Sequence, residues 1–247
     1  MTSRQTPAPA PGRSRSLSAG IFDVDGVLLA SPHERAWREA LRDFADEASF
    51  TTTVYQSAVA GKPRLAGALA ALQALGVPNA VQRAGAYAKS KQRRLEELIK
   101  AGAVMAFPDA LRFVKAVRAL GFPIAVASSS KNANAMMRRI RLEDHQSLFD
   151  VFQANVCGRD LPAGKPDPAI FLLAAAELPA APANCFVVED APAGVEAARA
   201  GGMAALGVAR LGDARLLRTA GADLVVTSLD EVSIDQLSHG RLCRRLP

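Results

Sequence analysis

Two carboxylates, Asp23 and Asp25, stand one residue apart at the end of an apolar run and directly before Gly26. If the run is a strand, the turn that glycine permits lets the two acids take different positions and different tasks. One carboxylate can attack an electrophile while the other carries a proton. The segment Phe22 to Gly26 could instead be a solvated turn, because Asp and Gly are common turn residues. Motifs further along the chain decide between these interpretations.

Three further polar motifs lie beside apolar runs or helical segments. They are Ser128-Ser129-Ser130-Lys131-Asn132, Gly164-Lys165-Pro166-Asp167-Pro168 and Glu189-Asp190. Hydroxyl and backbone N–H groups at Ser128 and Ser129, with the Lys165 ammonium, would neutralise the oxygens of a phosphoryl group. A phosphoryl-transfer site without a P-loop needs this combination of groups. The set predicts an enzyme in which a carboxylate accepts phosphoryl as an acyl phosphate.

The acids of these motifs also predict a magnesium site. Mg²⁺ prefers oxygen ligands, and Asp23, the backbone carbonyl of Asp25 and Asp190 would supply them, with Glu189 assisting. Taken singly, each motif has a plainer interpretation: a surface lysine, a helix cap or an acidic loop. Their occurrence together, in this order along the chain, favours catalysis over structure.

Alternating strand and helix patterns indicate how these residues are positioned. Helical periodicity separates the apolar runs, which predicts an α/β fold with a parallel sheet. Ligands of such sheets bind at the carboxyl ends of the strands, which is where the polar motifs fall. The predicted strands are Ser18 to Phe22, Pro123 to Ala127, Cys185 to Val188, Ala204 to Val208 and Ala222 to Val226; the predicted helices are Asp109 to Leu120, Asn132 to Leu142, Pro168 to Leu178 and Gly194 to Ala200.

About a hundred residues without a good strand candidate separate the first two strands, far more than one crossover helix needs. We expect an inserted helical cap domain over 32–102, within a core domain made of 18–31 and 103–232. Its tethers, near Leu29 to His33 and Gly102 to Asp109, would hang a lid beside the aspartate pair. The helical segments of the cap are Pro32 to Phe44, Thr51 to Val59, Arg64 to Leu75, Asn79 to Ala88 and Ser90 to Ala101.

Composition and charge limit the partners. The 247 residues are 49% hydrophobic and 22% charged, which is typical of a soluble globular protein. The formal net charge is +6, and six arginines near the ends account for it: Arg4, Arg13, Arg15, Arg241, Arg244 and Arg245. The body is then close to neutral, so we expect no nucleic-acid partner. The sequence predicts a disordered tail over 1–17 and a C-terminal tail over 233–247.

Cysteine usage and hydropathy favour a cytoplasmic protein. The three cysteines are widely spaced and form no metal or redox pattern, which indicates a reducing compartment. Neither a secretory signal nor an apolar stretch long enough to cross a bilayer is expected. We therefore expect no membrane partner, and a monomer or a weak dimer.

The motifs resemble those of the haloacid dehalogenase superfamily, whose first motif has the form Asp-x-Asp-Gly, here Asp23-Val24-Asp25-Gly26. The resemblance runs from about Ser18 to Asp230. It implies a Rossmann-like parallel sheet with a helical cap. It also implies that Asp23 is the nucleophile and Asp25 the general acid/base, that Ser128 and Lys165 bind the phosphoryl group, and that Glu189 and Asp190 hold Mg²⁺.

Within that superfamily the chain is similar to the β-phosphoglucomutase-like subfamily. His33 and Trp37 have the spacing of a cap histidine and tryptophan, and Gly61 to Arg64 matches a loop that grips a distal phosphate. Lys91, Lys131 and Asn132 also match substrate positions of that subfamily. Each has an alternative: His33 and Trp37 one turn apart could be a packing pair, while Arg64 and Lys91 could be solvated. One departure is Ala30, where relatives often carry an acid at the hinge.

The leading hypothesis is a Mg²⁺-dependent phosphohydrolase or phosphomutase that acts on a small phosphosugar through an aspartyl phosphate. Within this hypothesis, the activity that the sequence resembles most is that of β-phosphoglucomutase, the conversion of β-glucose 1-phosphate to glucose 6-phosphate. The alternative is a plain sugar-phosphate or phosphoglycolate-type phosphatase, in which water takes the phosphoryl group. Dehalogenation is disfavoured because it needs no metal, and phosphonate cleavage because that branch resembles Asp-x-Ala. A binding module that has lost catalysis is disfavoured because every expected catalytic position is filled.

Overall fold

The computed structural model describes residues 16–142 and 145–246, and in these residues a six-stranded parallel sheet forms the centre of the fold. The strand order is β5-β4-β1-β6-β7-β8, so the predicted α/β class is confirmed. The sheet strands are β1 (Ala19–Phe22), β4 (Ile124–Val126), β5 (Ala154–Asn155), β6 (Cys185–Glu189), β7 (Ala204–Val208) and β8 (Leu224–Val226), and a separate pair is β2 (Leu29–Ala30) with β3 (Met105–Ala106).

Strand β1 lies between β4 and β6, with Phe22 paired to Val126 on one side and Val188 on the other. Every residue of β1 and β6 is buried, because helices cover both faces of the parallel sheet. Alternate residues of β1 enter different cores: Phe22 packs with Phe186 on one face, and Ile21 packs on the other. Asp23, Ser128 and Asp190, which follow β1, β4 and β6, therefore emerge at one edge of the sheet.

Helices cover the two faces of the sheet. They are α5 (Pro108–Ala119), α6 (Ala133–Met137), α7 (Ala169–Ala176), α8 (Pro192–Ala200) and α9 (Ala214–Thr219). Helix α6 is shorter than the predicted segment Asn132 to Leu142, because after Met137 the chain turns back and the Leu148 N–H bonds the Ile140 carbonyl. The two-residue strands β2, β3 and β5 were not predicted, since they are too short to show a period.

The helical insertion lies between β2 and β3. Its helices are α1 (His33–Ala40), α2 (Thr52–Val54), α3 (Arg64–Ala74) and α4 (Ala80–Lys100), with 3₁₀ turns at Leu41–Asp43 and Glu47–Ser49 and a π-helical turn at Tyr55–Val59. The two tethers pair with each other, Leu29 opposite Ala106 and Ala30 opposite Met105. Ala30 is thus held by backbone pairing at the hinge.

Helix α4 is continuous, although the sequence predicts two segments that meet near Lys89. It is amphipathic along its whole length, with Ala84, Tyr87, Leu95 and Leu98 buried. Tyr87 anchors the cap core: its ring is fully buried against Trp37, and its hydroxyl donates a 2.8 Å hydrogen bond to the Trp37 carbonyl. A continuous buried face outweighs the weak break in the pattern.

The predicted C-terminal tail, 233–247, contains regular structure. Ser233 caps a short helix, α10 (Ile234–Ser238), whose Leu237 is fully buried, and Arg244 pairs with Glu231. Burial of Leu237 and these bonds hold the segment on the core. At the other end, residues 1–15 of the predicted tail lie outside the described residues, and Leu17 is already buried. Across 16–142 and 145–246, no helix has the length and apolarity to span a membrane.

Candidate active site

A cavity of about 320 Å³ lies between the helical insertion and the carboxyl edge of the sheet. It gathers side chains from both sides, as the predicted lid arrangement requires. Glu189 lies behind the wall and does not line the cavity. The predicted site residues that do line it are Asp23, Asp25, His33, Trp37, Gly61, Arg64, Lys91, Ser128, Ser129, Lys131, Asn132, Lys165 and Asp190.

Asp23, Lys165 and Glu189 form a buried ion network at the floor. The Lys165 ammonium donates to Asp23 Oδ1 at 2.5 Å and also to Glu189 Oε1. Burial opposes the Lys165 charge, but the two carboxylates outweigh it and raise its pKa. Lys165 therefore stays protonated. It also lies 4.8 Å from the centre of the Phe171 ring, so contacts on several sides fix its position.

Protein donors surround the predicted metal-site residue Glu189. Its Oε1 accepts from Lys165, and its Oε2 accepts from the backbone N–H groups of Asp190 and Ala191. Both oxygens are therefore engaged by protein donors, and the side chain is fully buried. Burial raises the pKa of Glu189 to about 7. In this arrangement Glu189 orients Lys165, and its assistance to Mg²⁺ stays a prediction.

Asp25 sits apart from this network and faces the cap. Its Oδ2 accepts from the Ser128 hydroxyl at 3.4 Å, and its Oδ1 lies 3.5 Å from His33 Nε2. Burial raises the pKa of Asp25, which favours its protonated form. A carboxyl whose proton is easier to keep is suited to giving and taking a proton. Burial raises the pKa of Asp23 as well, so the two acids differ in their contacts: Asp23 is bonded to Lys165, whereas Asp25 lies beside Ser128 and His33.

On the cap side, His33, Lys91 and Trp37 form a contact chain. Lys91 Nζ lies 2.9 Å from His33 Nδ1 and 4.9 Å from the centre of the Trp37 ring. Lys91 is only 2% exposed, and burial lowers its pKa to about 7. Burial and the nearby Lys91 lower the pKa of His33 well below its usual value. His33 is therefore neutral near pH 7, and Lys91 is close to half protonated.

The loop before α3 brings the cap against the core. Gly61 has a φ of 77°, and a Cβ there would lie 3.3 Å from the Ala191 methyl. At Gly164 a Cβ would lie 2.0 Å from Pro63 Cγ, so the core glycine makes room for the cap proline. Arg64 begins α3, is exposed and lines the cavity, near enough to Lys91 for its charge to lower the Lys91 pKa.

The serine motif is partly engaged by the protein itself. The Ser128 hydroxyl accepts from the Ser130 N–H at 3.1 Å, and Ser129 lines the cavity beside it. Asn132 exchanges two 3.4 Å hydrogen bonds with Gln92 of the cap. Lys131 lies at the rim in an exposed ion pair with Asp160, 2.7 Å away. Asn132 thus contributes a cap-to-core contact, which the sequence did not predict.

The oxygen donors suit the predicted magnesium. Asp190 Oδ2 lies against Gly26, where a Cβ would be 1.9 Å from it, so the acid abuts the loop that carries Asp25. Burial and the charges of Glu189 and Asp23 raise the pKa of Asp190 well above its usual value. Lys165 pairs with Asp23 and Glu189, and Asp190 adds a third acid beside them, so a cation would compensate the excess negative charge. Among the described residues no three His, Cys, Asp or Glu side chains form a group that could hold a metal ion by themselves.

Several cavity residues were missed by the sequence analysis. Tyr55 reaches the site from the π-helical turn, and Arg159 and Leu161 come from the loop before Lys165. The sequence gives no signal for these residues beyond their proximity to a motif. A single tyrosine or arginine outside a periodic segment does not show which way it faces. Tyr55 is one of two tyrosines in the chain, which could have drawn attention to it.

Comparison with known proteins identifies the family. Residues 18–202 match the haloacid dehalogenase-like hydrolases, a span that contains the four polar motifs and the helical insertion. The chain belongs to the haloacid dehalogenase-like hydrolases. The predicted resemblance is thereby confirmed, and the protein is an enzyme of the phosphatase and phosphomutase type found among its relatives.

Relatives of this hydrolase with similar sequence or structure are named for sugar phosphates. A beta-phosphoglucomutase of Mycobacterium tuberculosis is 32% identical over 250 residues, covering 90% of this chain and 93% of that protein. A phosphorylated carbohydrates phosphatase of Thermotoga maritima is 33% identical, covering 85% and 94%. The crystal structure of an archaeal beta-phosphoglucomutase from Pyrococcus superposes with a TM-score of 0.69 at 31% identity, covering 89% of this chain and 96% of that one.

Proposed function

We propose that this hydrolase is a Mg²⁺-dependent phosphotransferase that moves a phosphoryl group from a small phosphosugar to Asp23 and then to a second acceptor. The observation that carries the proposal is the placement of Asp23 against Lys165, with Asp25 in a separate environment across the same cavity. A nucleophile, a fixed cation and a proton carrier are the groups that phosphoryl transfer requires.

In the first step a carboxylate oxygen of Asp23 attacks phosphorus, and the bond from phosphorus to the sugar oxygen breaks. Lys165, the Ser128 hydroxyl and the Ser129 backbone stabilise the charge that spreads over the phosphoryl oxygens. Asp25, whose burial raises its pKa, gives its proton to the leaving oxygen. The products are an aspartyl phosphate at Asp23 and a free hydroxyl on the sugar.

In the second step the oxygen of an acceptor hydroxyl or of water attacks the same phosphorus. The acyl phosphate bond breaks, Asp23 regains its carboxylate, and Asp25 takes the acceptor's proton. Asp23, Asp190 and the Asp25 backbone carbonyl would hold Mg²⁺, which when bound supplies positive charge to the phosphoryl oxygens. The attack on phosphorus, the stabilisation of charge and the two proton transfers are carried out by residues that line the cavity.

The mutase is the first candidate, because a bisphosphate intermediate needs a grip on its distal phosphate. Arg64 and Lys62 stand at the cap side of the cavity, where such a phosphate would lie. Pro63 of the cap also packs closely against Gly164 of the core, and a cap seated on the core favours transfer to a bound hydroxyl over transfer to water. The relatives named beta-phosphoglucomutase support β-glucose 1-phosphate as the substrate.

A phosphatase is the second candidate, favoured by the relative named for phosphorylated carbohydrates. Two assays separate the candidates. Purified protein with Mg²⁺, β-glucose 1-phosphate and a glucose bisphosphate primer should yield glucose 6-phosphate if it is a mutase. Free phosphate as the sole product indicates the phosphatase. Activity unaffected by a metal chelator would contradict the Mg²⁺-dependent mechanism.

A further inference from the structure

One part of the cap that borders the cavity is a π-helical turn, Tyr55–Val59. Such turns are rare and occur frequently at functional sites. Both Tyr55 and Val59 line the cavity. The turn ends where the Ala60 N–H donates a 2.8 Å hydrogen bond to the Tyr55 carbonyl, just before the Gly61 loop that docks on the core. The turn therefore lies directly beside the loop through which the cap contacts the core.

Neighbouring contacts fix the Tyr55 ring within the cap. Its N–H donates to the Thr51 carbonyl at 3.0 Å, and its ring lies 6.4 Å from that of the fully buried Phe50. The Thr52 hydroxyl donates to Glu34 Oε1 at 2.9 Å, which holds the segment against α1. Tyr55 is therefore a preorganised part of the cavity wall.

The Tyr55 hydroxyl has a proton to donate and lacks an acceptor. Burial, followed by the charges of Asp190, Asp25, Glu34 and Asp23, raises the pKa of Tyr55 well above its usual value, so the phenol keeps its proton. Within residues 16–142 and 145–246 the hydroxyl forms no hydrogen bond. It is close enough to the carboxylates to feel their charge but beyond bonding distance. Tyr55, Asp23, Asp25 and Asp190 all line the same cavity.

A phosphoryl group attached to Asp23 would extend into the cavity that Tyr55 also lines. The core supplies donors to it from Lys165 and the serine loop, and these donors are present whatever the cap does. We infer that Tyr55 is a phosphoryl-binding residue of the cap, whose hydroxyl donates a hydrogen bond to a non-bridging oxygen of the group transferred through Asp23. The inference rests on the proposed phosphotransferase function. It makes full charge stabilisation depend on a closed cap.

The chain contains only Tyr55 and Tyr87, which permits a direct spectroscopic test. Protein labelled with 3-fluorotyrosine should give two ¹⁹F resonances, assigned with the single variants Tyr55→Phe and Tyr87→Phe. Inorganic phosphate with Mg²⁺ should shift the Tyr55 resonance and leave that of Tyr87 in place, because the Tyr87 hydroxyl is bonded to the Trp37 carbonyl. A Tyr55 resonance that does not move at saturating phosphate would overturn the inference.

Phosphate affinity measured by calorimetry gives an independent test. Tyr55→Phe should weaken the binding of inorganic phosphate about 10-fold or more, the effect of a hydrogen bond to a charged group, with an unchanged Tm. Tyr87→Phe is the matched control: it should lower Tm, because it leaves a buried carbonyl unpaired, and retain phosphate affinity. Wild-type affinity in Tyr55→Phe would refute the role of Tyr55 and leave the proposed phosphotransferase function standing. A wild-type protein that neither binds phosphate nor releases it from sugar phosphates would refute the proposed function and the inference together.

Discussion

The core and the cap each bring a buried lysine to the same cavity, and the two lysines differ in charge state. Lys165 is held between two carboxylates that raise its pKa, whereas burial lowers the pKa of Lys91 to about 7 beside a neutral histidine. Both are nearly inaccessible to solvent, so burial alone does not explain the difference. Paired acids within hydrogen-bond distance decide whether a buried ammonium is stable.

This difference assigns separate tasks to the two regions. The core holds Lys165 as a fixed positive charge beside Asp23, suited to stabilising the same transition state for any phosphorylated substrate. The cap holds Lys91, whose pKa is about 7, and its Gln92 contacts the core through two 3.4 Å hydrogen bonds with Asn132. We therefore expect substitutions in the core to abolish chemistry and substitutions in the cap to change stability, closure and the choice of acceptor.

The largest effect is expected at the nucleophile. Asp23→Asn should reduce phosphate release by about 10⁴-fold or more, because an amide cannot form the acyl phosphate. The measurement is the rate of phosphate release from a panel of sugar phosphates. Asp43→Asn, a matched change at an exposed acid of the cap, should leave the rate unchanged. Substantial activity in Asp23→Asn would show that the core does not work as described.

A large effect on stability is expected at Lys91. One pKa unit corresponds to about 1.4 kcal/mol, and the Lys91 pKa falls from 10.5 when unfolded to about 7 when folded. Below pH 7 the folded state bears the full cost of the buried charge; the cost shrinks as pH rises to 10.5, where both states are neutral.

The test is the unfolding free energy of Lys91→Met and wild type between pH 6 and 10. Wild type should gain stability relative to the variant as pH rises, by on the order of 2 to 5 kcal/mol. Lys89→Met, at an exposed position of the same helix, is the matched control and should leave the unfolding free energy close to that of wild type. If the difference in unfolding free energy between Lys91→Met and wild type did not change with pH, Lys91 would not have the lowered pKa that burial gives it here.

The same glycine substitution should have opposite effects in the two regions. A Cβ at Gly194 in α8 would lie 2.0 Å from the Glu189 carboxyl carbon, whereas one at Gly85 in α4 meets nothing within 4 Å. Gly194→Ala should cost about 1 to 3 kcal/mol and lower activity, since Glu189 orients Lys165. Gly85→Ala should stabilise the protein by about 0.5 to 1 kcal/mol with unchanged activity. Thermal unfolding and phosphate release check both; a loss of activity in Gly85→Ala would contradict the division of tasks.

The smallest effect is expected at the amide pair that joins the cap to the core. Gln92→Ala removes the two 3.4 Å hydrogen bonds with Asn132 and should raise KM a few-fold with little change in the chemical step. Gln73→Ala, on an exposed face of α3, is the matched control and should have no effect. A loss of kcat as large as that of a core variant would show that closure and chemistry are not separable.

The sequence predicted which core residues meet at the sheet edge, because they lie in short motifs at the ends of apolar strands. Asp23, Ser128, Lys165 and Asp190 each follow or precede a recognisable element, and parallel strands bring such ends together. The role of Glu189 could not be predicted, because an acid that binds a metal and an acid that orients a lysine look the same in a motif.

The cap was harder to predict for a physical reason. Its helices are alanine-rich, so the apolar period is shallow and the continuity of α4 was not evident. Contacts such as Gln92 with Asn132 join residues forty positions apart and depend on how the cap closes. Tyr55 enters the cavity through a π-helical turn, and a sequence pattern does not distinguish such a turn from an ordinary helix.

The most direct test of the central claim is to trap the phosphorylated nucleophile. Borohydride reduces an acyl phosphate to an alcohol, so protein quenched during turnover of a sugar phosphate with Mg²⁺ should contain homoserine in place of Asp23. Mass spectrometry of the peptide that carries Asp23 and Asp25 would locate the change. We predict homoserine at Asp23 only when substrate and Mg²⁺ are both present. An unmodified Asp23 during rapid turnover, or reduction at Asp25 instead, would contradict the account.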